Sequence, residues 1–223
     1  MHIGLIGGIG PAATETYYRA LVRLHAAAGR RLPLTIVNAD AREMIANLEA
    51  GNAIAQAKIF AGYVDQLRAG GCDAVAVTSM GGHFCIKELE AISALPVINA
   101  IPALDAYFAS HGIARVGVLG TRAVMASKLY GISSVDVVIP APEELSTAHA
   151  AYTAMAIAGA ATDDQRRYFR SAGLKLFREQ GADVIVLGGT DLSLAFDGEN
   201  PGYPLVDTAL VHAEAIARAS MEV

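Results

Sequence analysis

The sequence predicts an α/β protein of two similar lobes, each a parallel sheet flanked by helices, related by an approximate two-fold, with a ligand site in the cleft between them. Three observations lead there. Short apolar runs alternate with helix-like stretches, the pattern of βα units that pair as parallel strands. The unit recurs in two halves: Leu5-Ile6-Gly7-Gly8 opens the first and Val118-Leu119-Gly120-Thr121 the second, each a strand entering a glycine turn and then a helix. A second pair of strands also matches: Ala74–Val77 follows Gly71-Cys72-Asp73 and enters Thr78-Ser79-Met80-Gly81-Gly82, while Val184–Leu187 follows Gly181-Ala182-Asp183 and enters Gly188-Gly189-Thr190-Asp191.

Taken in order, the apolar run His2–Ile6 is the first expected strand, closed by Gly7-Gly8-Ile9-Gly10-Pro11. Glycine there permits positive φ, and a helix starting near Pro11 aims free N–H groups at an anion such as a carboxylate. The helical pattern Ala12–Ala28 follows, then the strand Leu34–Asn38 with Asn38-Ala39-Asp40-Ala41-Arg42 at its end. Arg42 is a candidate for bidentate pairing with a second carboxylate, or a solvated surface arginine. Next come helix Ala53–Ala69, strands Ala74–Thr78 and Val97–Asn99, helix Ala103–His111, and strands Val116–Leu119 and Val135–Ile139. Helices Glu143–Ala158 and Thr162–Gln180, strand Val184–Leu187 and a short strand Leu205–Val206 complete the pattern. The expected lobes are residues 1–98 with 207–223, and 99–206. In sheets of this kind ligands sit beyond the carboxyl ends of the strands, so the glycine-bearing turns are expected to serve one site.

Composition narrows the function. At 223 residues, 53% of them hydrophobic, the chain can bury a full core. A net charge of −5 offers no basic field for phosphate backbones, so nucleic acid is not an expected partner. No apolar run approaches the roughly 20 residues of a membrane span, so no membrane partner is expected either. The N-terminus lacks a basic leader and glycines interrupt its apolar stretch, so the expected location is cytoplasmic. Two cysteines make no disulfide framework, and no Cys/His cluster has zinc spacing, so no metal is expected. Gly7-Gly8-Ile9-Gly10-Pro11 is not G-x-G-x-x-G, and no acidic residue closes the second strand in the usual context, which argues against a dinucleotide. Val77 replaces the first glycine of a nucleophile elbow around Ser79, which weakens a hydrolase reading.

These segments together resemble the aspartate/glutamate (Asp/Glu/hydantoin) racemase family. The resemblance rests on Ile3–Pro11, the two turns, Leu95–Pro102, and Gly112-Ile113-Ala114-Arg115-Val116-Gly117-Val118-Leu119-Gly120-Thr121, and so covers most of the chain. It implies a cofactor-independent isomerase, without pyridoxal phosphate, that acts on a small carboxylate or amino acid and forms a homodimer. The family carries one cysteine in each turn, as opposed acid and base. Here the matching positions are Ser79 and Gly189. Of the family's Pro-Cys-Asn-Thr-x-His only His83 is retained, and Met80 stands in the asparagine's place. Of its Gly-Cys-Thr-Glu, Thr190 is retained and Asp191 shortens the glutamate.

The resemblance therefore implies Ser79, His83 and Asp191 as the acid–base candidates, with Gly8, Ile9, Arg42, Met80, Gly81, Gly189 and Thr190 around the substrate and Thr190 holding its carboxylate. His83 has a blander reading as a core histidine, and Asp191 as a helix cap. A thiol suits proton transfer at carbon because its pKa of about 8.5 lies near operating pH. Serine needs an adjacent base, and glycine has no side chain. Cys72 and Cys85 are poor replacements and read as small buried hydrophobes. Met80 and the segment Tyr152–Ala158, apolar where the family is rich in Tyr, Glu and Lys, suggest a substrate less polar than aspartate. Three classes follow: altered acid–base chemistry beside a carboxylate, for which one base suffices; an amino-acid racemase using other bases; or a non-catalytic carboxylate binder.

Overall fold

The computed structural model describes residues 1–196 and 200–222; residues 197–199 and 223, which the expected lobes span, lie outside the described residues. The chain divides into two compact units, Met1–Ala100 with His212–Val223, and Ile101–Val211. Each holds one parallel sheet flanked by helices.

In the first unit β1 (Ile3–Gly7) is the central strand, wholly buried as its apolar run requires. It pairs in parallel with β2 (Leu34–Asn38), Ile3 opposite Leu34, and with β3 (Ala74–Val77), Ile3 opposite Ala74. Helix α1 (Pro11–Ala27) follows β1, and α2 (Ala41–Glu49) and α3 (Ala53–Ala69) precede β3. Helix α2 is absent from the sequence reading, yet its start is signalled locally: Asp40 caps it, accepting from the N–H groups of Arg42 at 2.8 Å and Glu43 at 3.4 Å. A short 3₁₀ turn, Gly81–Cys85, leads into α4 (Ile86–Ile92). The expected strand Val97–Asn99 is reduced to one bridge, Val75 to Val97. It is confined between Pro96 and α5 (Ala100–Ser110), which starts ahead of the expected Ala103 because a proline at 102 is tolerated in a first helical turn.

The second unit holds the order β5-β4-β6-β7, from β4 (Arg115–Leu119), β5 (Asp136–Val138), β6 (Val184–Leu187) and β7 (Leu205–Asp207). Between β4 and β5 lie two short helices, α6 (Arg122–Ala126) and α7 (Lys128–Gly131), and between β5 and β6 the long α8 (Pro142–Ala158) and α9 (Asp163–Arg178). Thr162 and Gln165 form a reciprocal capping box at the start of α9. Leu119, Met155, Phe169, Leu176, Ile185 and Leu187 pack into one buried cluster. Truncating a buried phenylalanine such as Phe169 to alanine costs about 3–5 kcal/mol in a core of this kind. A four-residue helix α10 (Ser193–Phe196) follows the β6 turn, and α11 (Thr208–Met221) ends the fold.

The repeated Gly-x-Asp has a structural explanation. Asp73, before β3, accepts the N–H of His2 at 2.6 Å and donates its own N–H to the His2 carbonyl at 2.8 Å. Asp183, before β6, accepts the N–H groups of Ala114 at 3.0 Å and Arg115 at 2.8 Å and donates to the Arg115 carbonyl at 2.8 Å. In each unit the aspartate fastens the entry of a neighbouring strand, opposite the end where the glycine turns lie. These donors hold the Asp183 carboxyl below the usual carboxylate range.

Candidate active site

The turns leaving the carboxyl ends of the strands carry nearly every candidate residue. After β1, Gly8 has φ +84, and a Cβ there would lie 2.4 Å from Asn38 Oδ1, so glycine is required. Its N–H, expected to hold a carboxylate, instead donates to Thr14 Oγ1 at 2.9 Å. Ile9 is half-buried and adjoins the turn after β3: a methyl at Gly82 would meet Ile9 Cδ1 at 3.4 Å. Arg42 is exposed on the first turn of α2, with no ion pair among the described residues.

After β3 the structure assigns local duties to residues the sequence suggested for chemistry. Ser79 Oγ accepts the N–H of Gly82 at 3.3 Å and so caps the 3₁₀ turn. His83 is buried and uses both ring nitrogens on backbone: Nδ1–H donates to the Ser79 carbonyl at 2.7 Å, and Nε2 accepts from the Ala100 N–H at 3.3 Å. That pairing fixes a neutral ring, and burial lowers its pKa to about 4. His83 is therefore not a base for Ser79, and the geometry gives it the bland reading: it ties the β3 turn to Ala100 at the start of α5. A second buried histidine completes the cluster. His212 Nδ1 accepts from the Tyr17 hydroxyl at 2.8 Å, Nε2–H donates to the Ile98 carbonyl at 2.8 Å, and its ring stands edge-on to His83 at 5.6 Å.

Met80 departs from expectation. Its side chain is 1% exposed and belongs to the core. Gly81 is buried, with Ser79 Oγ 3.4 Å from where its Cβ would be. Cys85 is wholly buried, its Sγ–H pointing to the Gly82 carbonyl at 3.5 Å, and burial pushes the thiol up to about 12. Cys72 is buried at the start of β3, its thiol also raised by burial.

In the second unit the turn after β6 brings Gly189, Thr190 and Asp191 together with a residue the sequence reading missed. Gly188 N–H donates to the Leu119 carbonyl at 2.7 Å, which presses the turn against β4. Thr190 is buried, and its Oγ1 has no hydrogen-bond partner among the described residues. Asp191 is 3% exposed, and its Oδ2 accepts the hydroxyl of Tyr152, on α8, at 3.0 Å. The same tyrosine fills the place of a side chain at 189: a Cβ on Gly189 would lie 2.4 Å from Tyr152 Cε2 and 2.8 Å from its hydroxyl oxygen. Burial first, and then the Asp191 charge, hold the Tyr152 phenol well above its ordinary pKa, although an edge of the residue stays accessible.

Two further features lie in this unit. Asp207, at the carboxyl end of β7 beside Leu187, accepts the Ala209 N–H at 2.8 Å, and burial raises its carboxyl to about 6. In α7, the non-glycine residues Lys128, Leu129 and Tyr130 have φ of 52, 56 and 58, a left-handed run that continues into Gly131 at φ 85. Ser127 holds it, its Oγ accepting the Tyr130 N–H at 3.1 Å. Tyr130 lies within charge reach of Tyr152. Such backbone is costly and persists where surroundings enforce it.

A model of the Asp/Glu/hydantoin racemase family matches residues 6–216. The chain belongs to that family. Solved structures with the same fold include a candidate Asp/Glu racemase from Yersinia pestis, 24% identical over 99% of this chain and 100% of that one, with a TM-score of 0.84. An aspartate racemase homologue from Pyrococcus horikoshii is 23% identical over 98% and 99%, with a TM-score of 0.78. A glutamate racemase from Francisella tularensis, in complex with D-glutamate, is 16% identical over 99% and 81%, with a TM-score of 0.69. At these identities the likeness is one of fold. Family membership leaves the chemistry to the residues present, and neither Ser79 nor Gly189 offers a thiol. No helix among the described residues is long and apolar enough to cross a membrane.

Proposed function

We propose that this protein binds a small carboxylate or amino acid at the turn after β6 and carries out cofactor-independent acid–base chemistry at the carbon next to the carboxylate. The observation that carries this reading is Thr190: a hydroxyl buried without a partner among the described residues, one residue from a buried carboxylate, on the turn after β6 where the family resemblance implies a cysteine at 189. A buried polar atom left unpaired costs roughly 1–3 kcal/mol, and a ligand carboxylate accepting from Thr190 Oγ1–H would remove that cost. Asp191 is the acid–base group this turn offers. Ser79 and His83, occupied by the backbone, shape the β3 turn, so the chemistry runs through one acid–base centre.

The test is proton NMR in D2O with the L- and D-forms of alanine, leucine, methionine, aspartate and glutamate. Loss of the Cα–H signal is expected for at least one of them, and it should vanish in Asp191→Asn. Exchange with retention of configuration supports a single acid–base centre, whereas formation of the opposite isomer calls for a second group. A second reading has its own support, since the hydroxyl of Ser79 and the ring of His83 are both committed: the chain then only binds the carboxylate. Ligand-induced thermal stabilisation without exchange across the panel would establish that reading and reject the first.

A further inference from the structure

We propose that Tyr152 stands in for the thiol that the family resemblance implies at position 189, relaying protons between the substrate carbon and Asp191. The proposal rests on the functional reading above and adds the group that touches the reacting carbon. Four observations converge on it.

The first is volume. The tyrosine's hydroxyl oxygen is 2.8 Å from the position of a Cβ at 189, about where a side-chain head group on that residue would sit. The glycine and the tyrosine are thus one arrangement: any side chain at 189 excludes the ring from its present position. The second is orientation, because the Tyr152 hydroxyl donates to Asp191 Oδ2 at 3.0 Å, the geometry from which a proton can pass. The third is the protonation state. Burial and the adjacent carboxylate keep Tyr152 neutral, so the proton needed for the relay is present at rest. The fourth is neighbourhood, since the Thr190 hydroxyl, without a partner among the described residues, lies on the same turn, between Gly189 and Asp191.

The step balances without a cofactor. In the forward direction the Cα–H bond breaks and its proton moves to Tyr152 Oη while the phenolic proton moves to Asp191 Oδ2. The bonding electron pair stays on Cα and delocalises into the carboxylate held by Thr190. The reverse sequence reprotonates the carbon: Tyr152 gives its proton to Cα and takes one from Asp191. Deuterium enters from solvent through exchange at the Asp191 carboxyl. Tyrosine stays uncharged throughout, which its surroundings require.

The experiment measures deuterium incorporation in D2O by the wild type, Tyr152→Phe, Tyr152→Ala and the double variant Tyr152→Ala/Gly189→Cys, with the amino acid of the panel that exchanges. Phenylalanine keeps the ring over Gly189 and removes only the hydroxyl. Its exchange rate should fall roughly a hundredfold or more, as expected for loss of a general acid–base group, with ligand-induced thermal stabilisation unchanged. The double variant puts a thiol into the vacated volume and should recover at least tenfold over Tyr152→Ala alone. Exchange by Tyr152→Phe within threefold of wild type would overturn the proposal while leaving the functional reading standing. A wild type that exchanges nothing would overturn that reading and this proposal together, so the two failures are distinguishable.

Discussion

Tyr152 and Gly189, thirty-seven positions apart, occupy one space: the phenol ring lies where the first carbon of any side chain at 189 would have to be, 2.4 Å from its Cε2. The contact is with the far end of an aromatic side chain, so a residue at 189 can be admitted only if the ring swings away. Gly189 has φ −135 and ψ 126, open to every residue type, so backbone conformation is not what selects glycine here.

Gly189→Ala is therefore expected to destabilise the protein by overpacking, by about 1–3 kcal/mol. In the double variant with Tyr152→Ala the penalty should shrink, leaving a coupling of about 1–2 kcal/mol between two sites that share a volume. Urea unfolding of the four proteins measures it, and additive effects would mean that the ring moves aside freely.

The buried histidines predict an acid limb to stability. Burial depresses His83 to about 4 and His212 to about 3, the latter also through the His83 charge. Their folded values lie below the unfolded one, so the stability they give is present above about pH 6.5 and lost as pH falls through the folded values. Asp207, raised by burial to about 6, acts in the opposite sense: its contribution is present below the unfolded carboxylate value and lost as pH rises through about 6. Between pH 4.5 and 6 the histidines release two protons on folding and Asp207 takes one up. In a single unfolding transition the net slope is then about 1.4 kcal/mol per pH unit. Asp207→Asn should steepen it towards about 2.7 and His212→Gln should flatten it. A slope unmoved by either substitution would refute the assignment.

What the sequence made legible was what local pattern determines. The apolar runs placed β6 at its observed limits and the other main strands within a residue or so, because a buried parallel strand requires an unbroken apolar run; β2 was placed at its limits too, although it is only half-buried. The recurring Gly-x-Asp was visible, but its role was not, since the N–H groups it binds belong to His2, Ala114 and Arg115, far along the chain. The candidate turns were found for the same local reason. Their internal economy was hidden: nothing near His83 indicates that Ala100 will take its second nitrogen, and nothing in Met80 indicates that its turn points it into the core. Tyr152 was missed because its meaning depends on an empty position on another element. The available signal was a single hydroxyl-bearing aromatic in an apolar segment of α8, in a chain with glycine at 189, where the family resemblance implies a cysteine.

The cysteines offer a negative control. Both are buried and both thiols are raised, Cys85 to about 12, so neither supplies a thiolate at neutral pH. Native protein should react with a disulfide reagent such as Ellman's at least a hundredfold more slowly than the urea-unfolded chain, and Cys85→Ser should leave deuterium exchange unchanged. Rapid labelling of Cys85 accompanied by lost exchange would return a thiol to the mechanism.

The left-handed turn in α7 makes a prediction of unusual sign. Glycine in an ordinary helix interior costs about 1 kcal/mol relative to alanine. At Lys128, exposed and at φ 52, it should instead relieve strain and stabilise by about 0.5–1 kcal/mol. Thermal unfolding decides: a Lys128→Gly variant that melts below wild type would show that the side chain contributes more than its backbone conformation costs.

Thr190→Val should separate stability from function. The hydroxyl is buried and has no partner among the described residues, so replacing it with a methyl of nearly the same size removes a desolvated polar atom and breaks no hydrogen bond to them. Unfolding free energy is expected to stay level or rise by about 1 kcal/mol, against the usual cost of a buried substitution. Ligand-induced stabilisation by a carboxylate, and with it deuterium exchange, should fall at least tenfold, because the donor awaiting the ligand is gone. The two readouts must move apart. A variant that loses stability and binding together would mean that Thr190 serves the packing of the turn, and a variant that keeps full binding would place the carboxylate elsewhere.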